Sequence, residues 1–201
     1  MYERPISHHS TIRAPGSGKG TQGKILGQIP GFFHLSCGDV FRALQPESDL
    51  GRMFLEYSSR GQLVPDDLTV KLWQVHASRI VDAGHFSPDS EILVLDGIPR
   101  NVAQAELMQS YIDVKQLVYF ETHDQEKMVA RLNRRALHEN RLDDTNEAVI
   151  RRRFAEYEQE TAPVLDHYPC DLIYTVDASA RPIEVLTRVA QRIASLNTVF
   201  T

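Results

Sequence analysis

The chain has 201 residues, a length that suits one α/β domain with a sizeable core. Its net charge of −5 argues against a general nucleic-acid or membrane-surface binder, so we expect neither partner, and any anion site must be built from locally concentrated basic residues. Its two cysteines are too few for a disulfide framework or a zinc site, and no apolar run approaches the length of a membrane span, so a cytoplasmic location is expected.

The first predicted element is a strand at residues 6–12, which is apolar only at its two ends. Its middle contains His8, His9 and Ser10, and burying those side chains in a central strand would require polar partners. The sequence leaves two explanations open, a distorted strand or an N-terminus that is not the natural one.

A glycine-rich loop follows, Ala14-Pro-Gly-Ser-Gly-Lys-Gly-Thr21. Glycines at 16, 18 and 20 allow a tight turn that points successive N–H groups into one concavity. Lys19 adds a positive charge, and a helix that begins there adds the positive end of its dipole. The loop therefore predicts a seat for a polyphosphate, with an ordinary glycine-rich turn as the alternative.

The rest of the chain alternates between short apolar runs and segments with helical spacing. We predict strands at residues 92–95, 117–120 and 171–176, and helices at residues 69–81, 125–137 after an Asp124 cap, 146–165 and 182–196. This alternation predicts a parallel sheet covered by helices on both faces, with ligands beyond the carboxyl ends of the strands. Trp73 lies in a helical pattern and is expected in the core.

Asp96 ends the apolar run Leu93-Val-Leu95 and precedes Gly97-Ile-Pro-Arg100. A carboxylate at the end of a buried strand can hold a magnesium-bound water beside a phosphate loop. A strand-terminating turn is the structural alternative. The coincidence of this carboxylate, Arg100 and a phosphate loop favours a functional site.

Arginines are concentrated between residues 131 and 153, where seven of them occur: 131, 134, 135, 141, 151, 152 and 153. A solvated basic face is the common meaning of such a run. In a chain with net negative charge, however, planar guanidinium groups around one loop favour binding of phosphate oxygens. Phosphoryl transfer depends mostly on positioning and charge neutralisation, so it needs such groups more than it needs a nucleophile.

Seven motifs, in order along the chain, resemble those of adenylate kinases: Ala14-Pro-Gly-Ser-Gly-Lys-Gly-Thr-Gln22, His34-Leu-Ser-Cys-Gly-Asp-Val-Phe-Arg42, Gly61-Gln-Leu-Val-Pro-Asp66, Leu95-Asp-Gly-Ile-Pro-Arg-Asn-Val-Ala-Gln104, Arg131-Leu-Asn-Arg-Arg135, Arg141-Leu-Asp-Asp144 and Arg153-Phe-Ala-Glu-Tyr157. The resemblance implies one P-loop α/β/α nucleotide-kinase domain over residues 1–201, with a parallel sheet of about five strands. It also implies an inserted acceptor-binding lobe at residues 36–65 and a short lid at residues 136–142, which has no room for a zinc knuckle.

The resemblance implies roles for individual residues as well. The ATP-binding residues would be Gly16, Ser17, Gly18, Lys19, Gly20, Thr21 and Arg131. The AMP-binding residues would be Cys37, Arg42, Leu63, Val64, Gly97, Arg100, Gln104, Arg141 and Arg153. The catalytic residues would be Lys19, Arg100, Arg135, Arg141 and Arg153. Magnesium waters would be held by Asp96, with Asp143 or Asp144 as a second carboxylate.

The implied reaction is ATP + AMP ⇌ 2 ADP, by in-line transfer without a covalent intermediate, with Mg²⁺ as the cofactor, no zinc, and a monomer as the expected state. Two alternatives stay open: a UMP/CMP kinase, and a non-catalytic nucleotide-binding module with a degenerate phosphate loop. Both come from departures from the family pattern, since Arg13 replaces a glycine, Cys37 replaces a threonine, and Asn101 is typical of the pyrimidine enzymes. The segment before Arg153 is one residue longer than usual, so Arg152 is a second candidate for its role.

Overall fold

The structure, a computed structural model, describes residues 6–13, 15–122, 124–139 and 146–196; for residues 6–13, 138 and 139 it describes the backbone alone. Five strands form one parallel sheet: β1 (Ile6–Arg13), β2 (Phe32–Ser36), β3 (Ile92–Asp96), β4 (Ile112–Glu121) and β5 (Ile173–Asp177). Their order across the sheet is β2-β3-β1-β4-β5. The predicted parallel α/β architecture is confirmed.

The helices in the described part of the chain connect these strands. They are α1 (Lys19–Leu26), α2 (Cys37–Arg42), α3 (Asp49–Ser59), α4 (Asp66–Asp82), α5 (Val102–Met108), α6 (Gln125–Glu139), α7 (Glu147–Glu156), α8 (Val164–His167) and α9 (Pro182–Ser195). None of the helices within these described ranges is long and apolar enough to cross a bilayer.

Helices cover both faces of the sheet. Adjacent residues of β3 point to opposite faces: Leu95 belongs to a core cluster with Trp73 of α4, whereas Val94 belongs to a second cluster with Val189 of α9. Trp73 is 1% exposed, which confirms its predicted place in the core. This arrangement gives the three-layer α/β/α fold.

β1 lies at the centre of the sheet despite its polar middle. It pairs with β3 in continuous register, but its pairing with β4 shifts between His8 and His9, where Val114 and Gln116 are the successive partners. The extra residue, Lys115, belongs to β4, so the sheet is irregular beside the polar residues while β1 itself keeps a continuous register with β3.

The prediction of one helix over residues 146–165 is wrong. α7 ends at Glu156, a π-helical turn follows at Tyr157–Thr161, and α8 begins only after Pro163. Proline has no N–H to donate to the preceding turn and its ring crowds that turn, so a regular α-helix cannot continue through it. The π-helical turn matters for the site because the Thr161 hydroxyl donates a 2.6 Å hydrogen bond to the carbonyl of Arg100.

Other boundaries differ by a few residues. The strand predicted from residue 171 begins at Ile173, and the last helix ends at Ser195. The helix predicted over 125–137 extends to Glu139, so the first four residues of the predicted lid segment 136–142 belong to α6, while residues 140–142 lie outside the described residues. The Asp124 cap is confirmed, since its side chain accepts a 2.9 Å hydrogen bond from the backbone N–H of Lys127.

Candidate active site

A cavity of about 690 Å³ opens beside the carboxyl ends of β2 and β3. The loop before α1, the start of α2, and residues of α3, α6 and α7 form its walls. All of the sequence-predicted site residues that the structure describes line this one cavity. Arg141, Asp143 and Asp144 lie outside the described residues.

The glycine-rich loop has the backbone that its sequence predicts. Gly16 and Gly18 have φ angles of +83° and +93°, in the left-handed region that favours glycine. A Cβ on Gly16 would lie 3.0 Å from the carbonyl oxygen of Met128, because α6 packs closely on the loop. Gly18 caps α1, which begins at Lys19 as predicted. The loop therefore presents backbone N–H groups and the positive end of a helix to the cavity.

Asp96 ends β3 at the base of this loop. It is paired in register with Ser36 at the end of β2, and it is 3% exposed. Its Oδ1 lies 3.3 Å from Lys19 Nζ, and its Oδ2 lies 3.9 Å from His34 Nε2. A nearly buried carboxylate thus lies next to the lysine that the sequence assigns to a polyphosphate.

The described part of the cavity wall is strongly basic. Eight basic side chains contribute to it (Lys19, Lys24, Arg42, Arg100, Arg131, Arg134, Arg135 and Arg153), against three acidic ones (Asp39, Asp96 and Glu156). The whole chain is nevertheless negative. Such a local concentration of guanidinium and ammonium groups attracts polyanions into the cavity.

Arg100 is fixed by three hydrogen bonds. Its Nε donates to the carbonyl of Gly97 at 2.8 Å, its backbone N–H donates to Gln104 Oε1 at 2.8 Å, and its carbonyl accepts from Thr161. Burial lowers the pKa of the Arg100 guanidinium from its ordinary value, and the positive charge of Arg153 acts in the same direction. An arginine stays protonated at neutral pH, so Arg100 is a preorganised cation aimed at the cavity.

Two other arginines on the wall are also oriented by the protein. Arg42 Nη2 lies 2.5 Å from the Asp39 carboxylate, three residues before it on α2. Arg131 Nη1 donates to the carbonyl of Ala178 at 3.1 Å, which ties α6 to the loop that precedes α9. Both interactions restrict flexible side chains before any ligand binds, which reduces the entropy lost on binding.

The structure separates the two neighbouring arginine candidates. Arg153 lines the cavity. Arg152 is exposed, does not line the cavity, and donates a 3.4 Å hydrogen bond to the carbonyl of Arg60. Of these two side chains, that of Arg153 is therefore the one that reaches the cavity.

Cys37 is a packing residue in this structure. It is 3% exposed, and burial raises the pKa of its thiol to about 11. The thiol is protonated at neutral pH, so Cys37 has no thiolate that could act as a nucleophile. His34 is packed as well, with its ring against Gly23 of α1.

The other side of the cavity is lined by apolar and amide side chains. Leu63 and Val64 line the wall, together with the rings of Phe41 and Phe54, which stack with centroids 5.2 Å apart. Gln104 is 1% exposed beside them. This half of the cavity suits a flat heterocycle with a hydrogen-bonding edge, and the basic half suits phosphates.

Sequence reasoning missed several residues that shape the site. Glu156 accepts a 3.4 Å hydrogen bond from the backbone N–H of Leu63, and Thr161 and Asp66 hold Arg100 and Gln104. Each of these contacts joins residues at least 38 positions apart. No local spacing could have predicted them. Arg134, by contrast, belongs to the arginine cluster that the sequence showed.

The residues present fit a magnesium ion held mainly by substrate. Mg²⁺ prefers oxygen ligands, keeps several waters, and is often bound by one or two carboxylates plus phosphates. Asp96 supplies such a carboxylate beside the phosphate loop. Across the described ranges, no group of three or more His, Cys, Asp or Glu side chains is arranged to hold a metal by itself.

Comparison with known proteins agrees with this geometry. A family model described as adenylate kinase matches residues 11–172 of the chain. The adenylate kinase of Nocardia farcinica is 40% identical over 184 residues, which are 87% of this chain and 92% of that protein. The adenylate kinase of a Synechococcus species is 36% identical over 190 residues, 91% of this chain and 96% of that protein. That of Flavobacterium psychrophilum is 34% identical over 160 residues, 77% and 80% respectively.

Proposed function

The chain belongs to the adenylate kinase family, and from this premise we propose that it transfers the γ-phosphoryl group of ATP to AMP, giving two molecules of ADP. It is a phosphotransferase. One observation carries the proposal: the described residues that sequence similarity assigns to the donor, the acceptor and catalysis all line one cavity, basic at one end and apolar at the other.

ATP binds with its phosphates on the glycine-rich loop. The loop N–H groups and Lys19 bind the phosphate oxygens, and Arg131 lies beside the base and phosphates. Asp96 would hold Mg²⁺ through water, and the ion would supply neutralisation of the phosphate charge there. The hydrogen bond from Arg131 to the carbonyl of Ala178 supports this side chain as a wall of the donor site.

AMP binds on the other side. Arg42 and Arg100 hold its phosphate, Leu63 and Val64 pack against its base, and Gln104 hydrogen-bonds the edge of the base. A side-chain amide offers both a donor and an acceptor, which is what the edge of adenine requires. The preorganised Arg100 and the buried Gln104 support this assignment.

Transfer needs no covalent intermediate. The acceptor phosphate oxygen attacks the γ-phosphorus in line, while Lys19, Arg135, Arg141 and Arg153 stabilise the charge on the group in transit. The acceptor-binding insertion at residues 36–65 and the lid at residues 136–142 close over the substrates and exclude water, which would otherwise hydrolyse ATP. We place the protein in the cytoplasm as a monomer.

An acceptor panel tests the proposal. The purified chain is incubated with Mg-ATP and, separately, with AMP, CMP, UMP or GMP, and the diphosphates are quantified. We expect rapid formation of ADP with AMP and slow reaction with the others. A preference for CMP or UMP would make the protein a pyrimidine kinase with the same mechanism. ATP binding with no transfer to any acceptor would contradict the proposal.

A substitution tests the role of Lys19. Lys19→Ala should lower kcat by about two to three orders of magnitude, because it removes the oriented positive charge that stabilises the phosphoryl group during transfer. Lys71→Ala is the matched control, an exposed lysine of α4 that does not line the cavity, and it should behave like the unmodified chain. Turnover within about twofold of normal in Lys19→Ala would sink the assignment.

A further inference from the structure

The amide of Gln104 is held by two protein groups whose hydrogen-bonding roles are fixed. Its Oε1 accepts from the backbone N–H of Arg100 at 2.8 Å, and its Nε2 donates to Asp66 Oδ1 at 2.7 Å. A backbone N–H can only donate, and a carboxylate can only accept. The amide therefore makes both hydrogen bonds in only one orientation. After a flip, its NH₂ group would face the N–H of Arg100 and its oxygen would face the carboxylate of Asp66.

Asp66 belongs to a wider network that depends on its being an acceptor on both oxygens. Asn101 Nδ2 donates to Asp66 Oδ1 and Oδ2, at 3.0 Å each, while Asn101 Oδ1 accepts from the backbone N–H of Gln104 and caps α5. The cap fixes which end of the Asn101 amide faces Asp66. The carboxylate of Asp66 thus satisfies two amide groups at once.

The network also connects the segment that contains Val64 to Gln104, and both line the apolar end of the cavity. Asp66 is the first residue of α4 and follows Val64 by two positions, so the chain segment that supplies the apolar wall carries the group that orients Gln104. The remaining N–H and the remaining lone pair of the Gln104 amide are the groups left for a ligand.

We propose that Asp66 is a positioning residue that sets selectivity for the acceptor base by holding the side-chain amide of Gln104 in one orientation. The inference rests on the proposed function, in which Gln104 contacts the base. Adenine presents an amino donor beside a ring-nitrogen acceptor, whereas uracil presents a carbonyl acceptor beside an N–H donor, so an amide locked in one orientation discriminates between these two bases. An amide free to flip loses that discrimination.

The test compares Asp66→Asn with Asp67→Asn in the full chain. Asparagine at position 66 keeps one acceptor oxygen but replaces the other with an NH₂ group, which conflicts with Asn101 or with Gln104. Asp67 is the matched control, the next residue in the first turn of α4 and exposed. Steady-state kinetics give kcat, KM for AMP, KM for ATP, and the ratio of kcat/KM for AMP to that for UMP.

We expect Asp66→Asn to raise KM for AMP about tenfold and to lower the AMP to UMP ratio of kcat/KM by a similar factor, with kcat and KM for ATP within about twofold of normal. Asp67→Asn should resemble the unmodified chain. Because Asp66 acts through Gln104, Asp66→Asn should add little in a Gln104→Ala background. An unchanged ratio in Asp66→Asn, or a full additional loss in the double variant, would overturn the inference.

A second variant keeps the test decisive if Asp66→Asn does not fold, as judged by circular dichroism. Asn101→Ser retains a good helix cap but removes the amide that donates to Asp66. We expect it to lower the AMP to UMP ratio of kcat/KM about threefold, and an unchanged ratio would overturn the inference. A wild-type chain that makes no diphosphate would refute the proposed function instead, so the two failures are distinguishable.

Discussion

At the residue scale, the sequence identified many of the side chains that line the cavity but not the hydrogen bonds that fix their positions. Composition and spacing were enough to predict the glycine-rich loop, Asp96 and the arginines. The contacts of Gln104 and Arg100 with their partners could not be predicted in this way, since Asp66 and Thr161 lie 38 and 61 positions away from them. Long-range hydrogen bonds depend on the finished fold.

The neighbouring arginines of α7 provide a matched pair. Arg153→Ala should lower kcat by about two to three orders of magnitude, because Arg153 lines the cavity and stabilises the transferring group. Arg152→Ala removes an exposed side chain with a 3.4 Å contact to a backbone carbonyl and should stay within about twofold of normal. Steady-state kinetics of both variants decide the point, and the reverse order of effects would assign the role to Arg152.

The thiol of Cys37 predicts a specific pH dependence of stability. Its pKa is raised from 9.0 to about 11 in the folded chain, so above pH 9 the unfolded state ionises first and is favoured. The free energy of unfolding of the wild type, relative to Cys37→Ala, should therefore fall between about pH 9 and pH 11, by up to about 3 kcal/mol. Urea unfolding across this range measures it, and parallel curves for the two chains would contradict it.

At the scale of elements, periodicity and apolar runs predicted several helices and strands but not all of them, and the eleven-residue α3 was among those missed. α4, α6 and α9 were predicted to within three residues at either end, and the apolar runs of β3 and β4 were recognised. β2, with five residues, and α2, with six, were not predicted, because so few residues carry too little periodicity. Their placement depends on packing against α1, β3 and α4.

The contact between α1 and β2 can be tested with two glycines. A Cβ on Gly23 would lie 2.5 Å from Nε2 of the His34 ring, whereas a Cβ on Gly27 would lie 2.5 Å from His34 Cβ and 2.9 Å from its backbone nitrogen. We expect Gly23→Ala and Gly27→Ala each to reduce the free energy of unfolding by about 1–3 kcal/mol.

A second substitution, His34→Ala, should restore the stability of one glycine variant but not of the other. Adding His34→Ala removes the ring that meets Gly23→Ala, so it should restore stability there. It leaves the backbone that meets Gly27→Ala, so little should be regained. Denaturant unfolding of the single and double variants measures both effects. Equal recovery of stability in the two glycine variants would contradict this prediction, since it would mean that α1 and β2 move apart to accommodate either methyl group.

At the scale of the whole molecule, alternating strands and helices predicted the parallel three-layer fold, but the sequence did not give the order of the strands. The strand with the most polar middle, β1, is central, between β3 and β4. Its location brings the glycine loop next to Asp96. This neighbourhood, more than any single motif, makes the cavity a candidate catalytic site.

The contrast between an acidic chain and a basic cavity predicts a salt effect. Raising the salt concentration from about 0.05 M to about 0.5 M shortens the screening length and should raise KM for ATP and for AMP several-fold. Substrates that are already bound lie in a partly buried site, so kcat should change less. Steady-state kinetics at matched Mg²⁺ concentrations measure this, and KM values independent of salt would argue against the cationic wall as the substrate attractor.

Direct transfer between the two nucleotides can be followed in a single turnover with ATP labelled at the γ-phosphorus, in the presence of AMP and Mg²⁺. In-line transfer in a closed cavity predicts that the label appears in ADP, with no labelled protein and little labelled inorganic phosphate. Label on the protein would contradict a direct transfer, and label mainly in inorganic phosphate would contradict a site that excludes water. Label remaining in bound ATP would contradict the kinase activity itself.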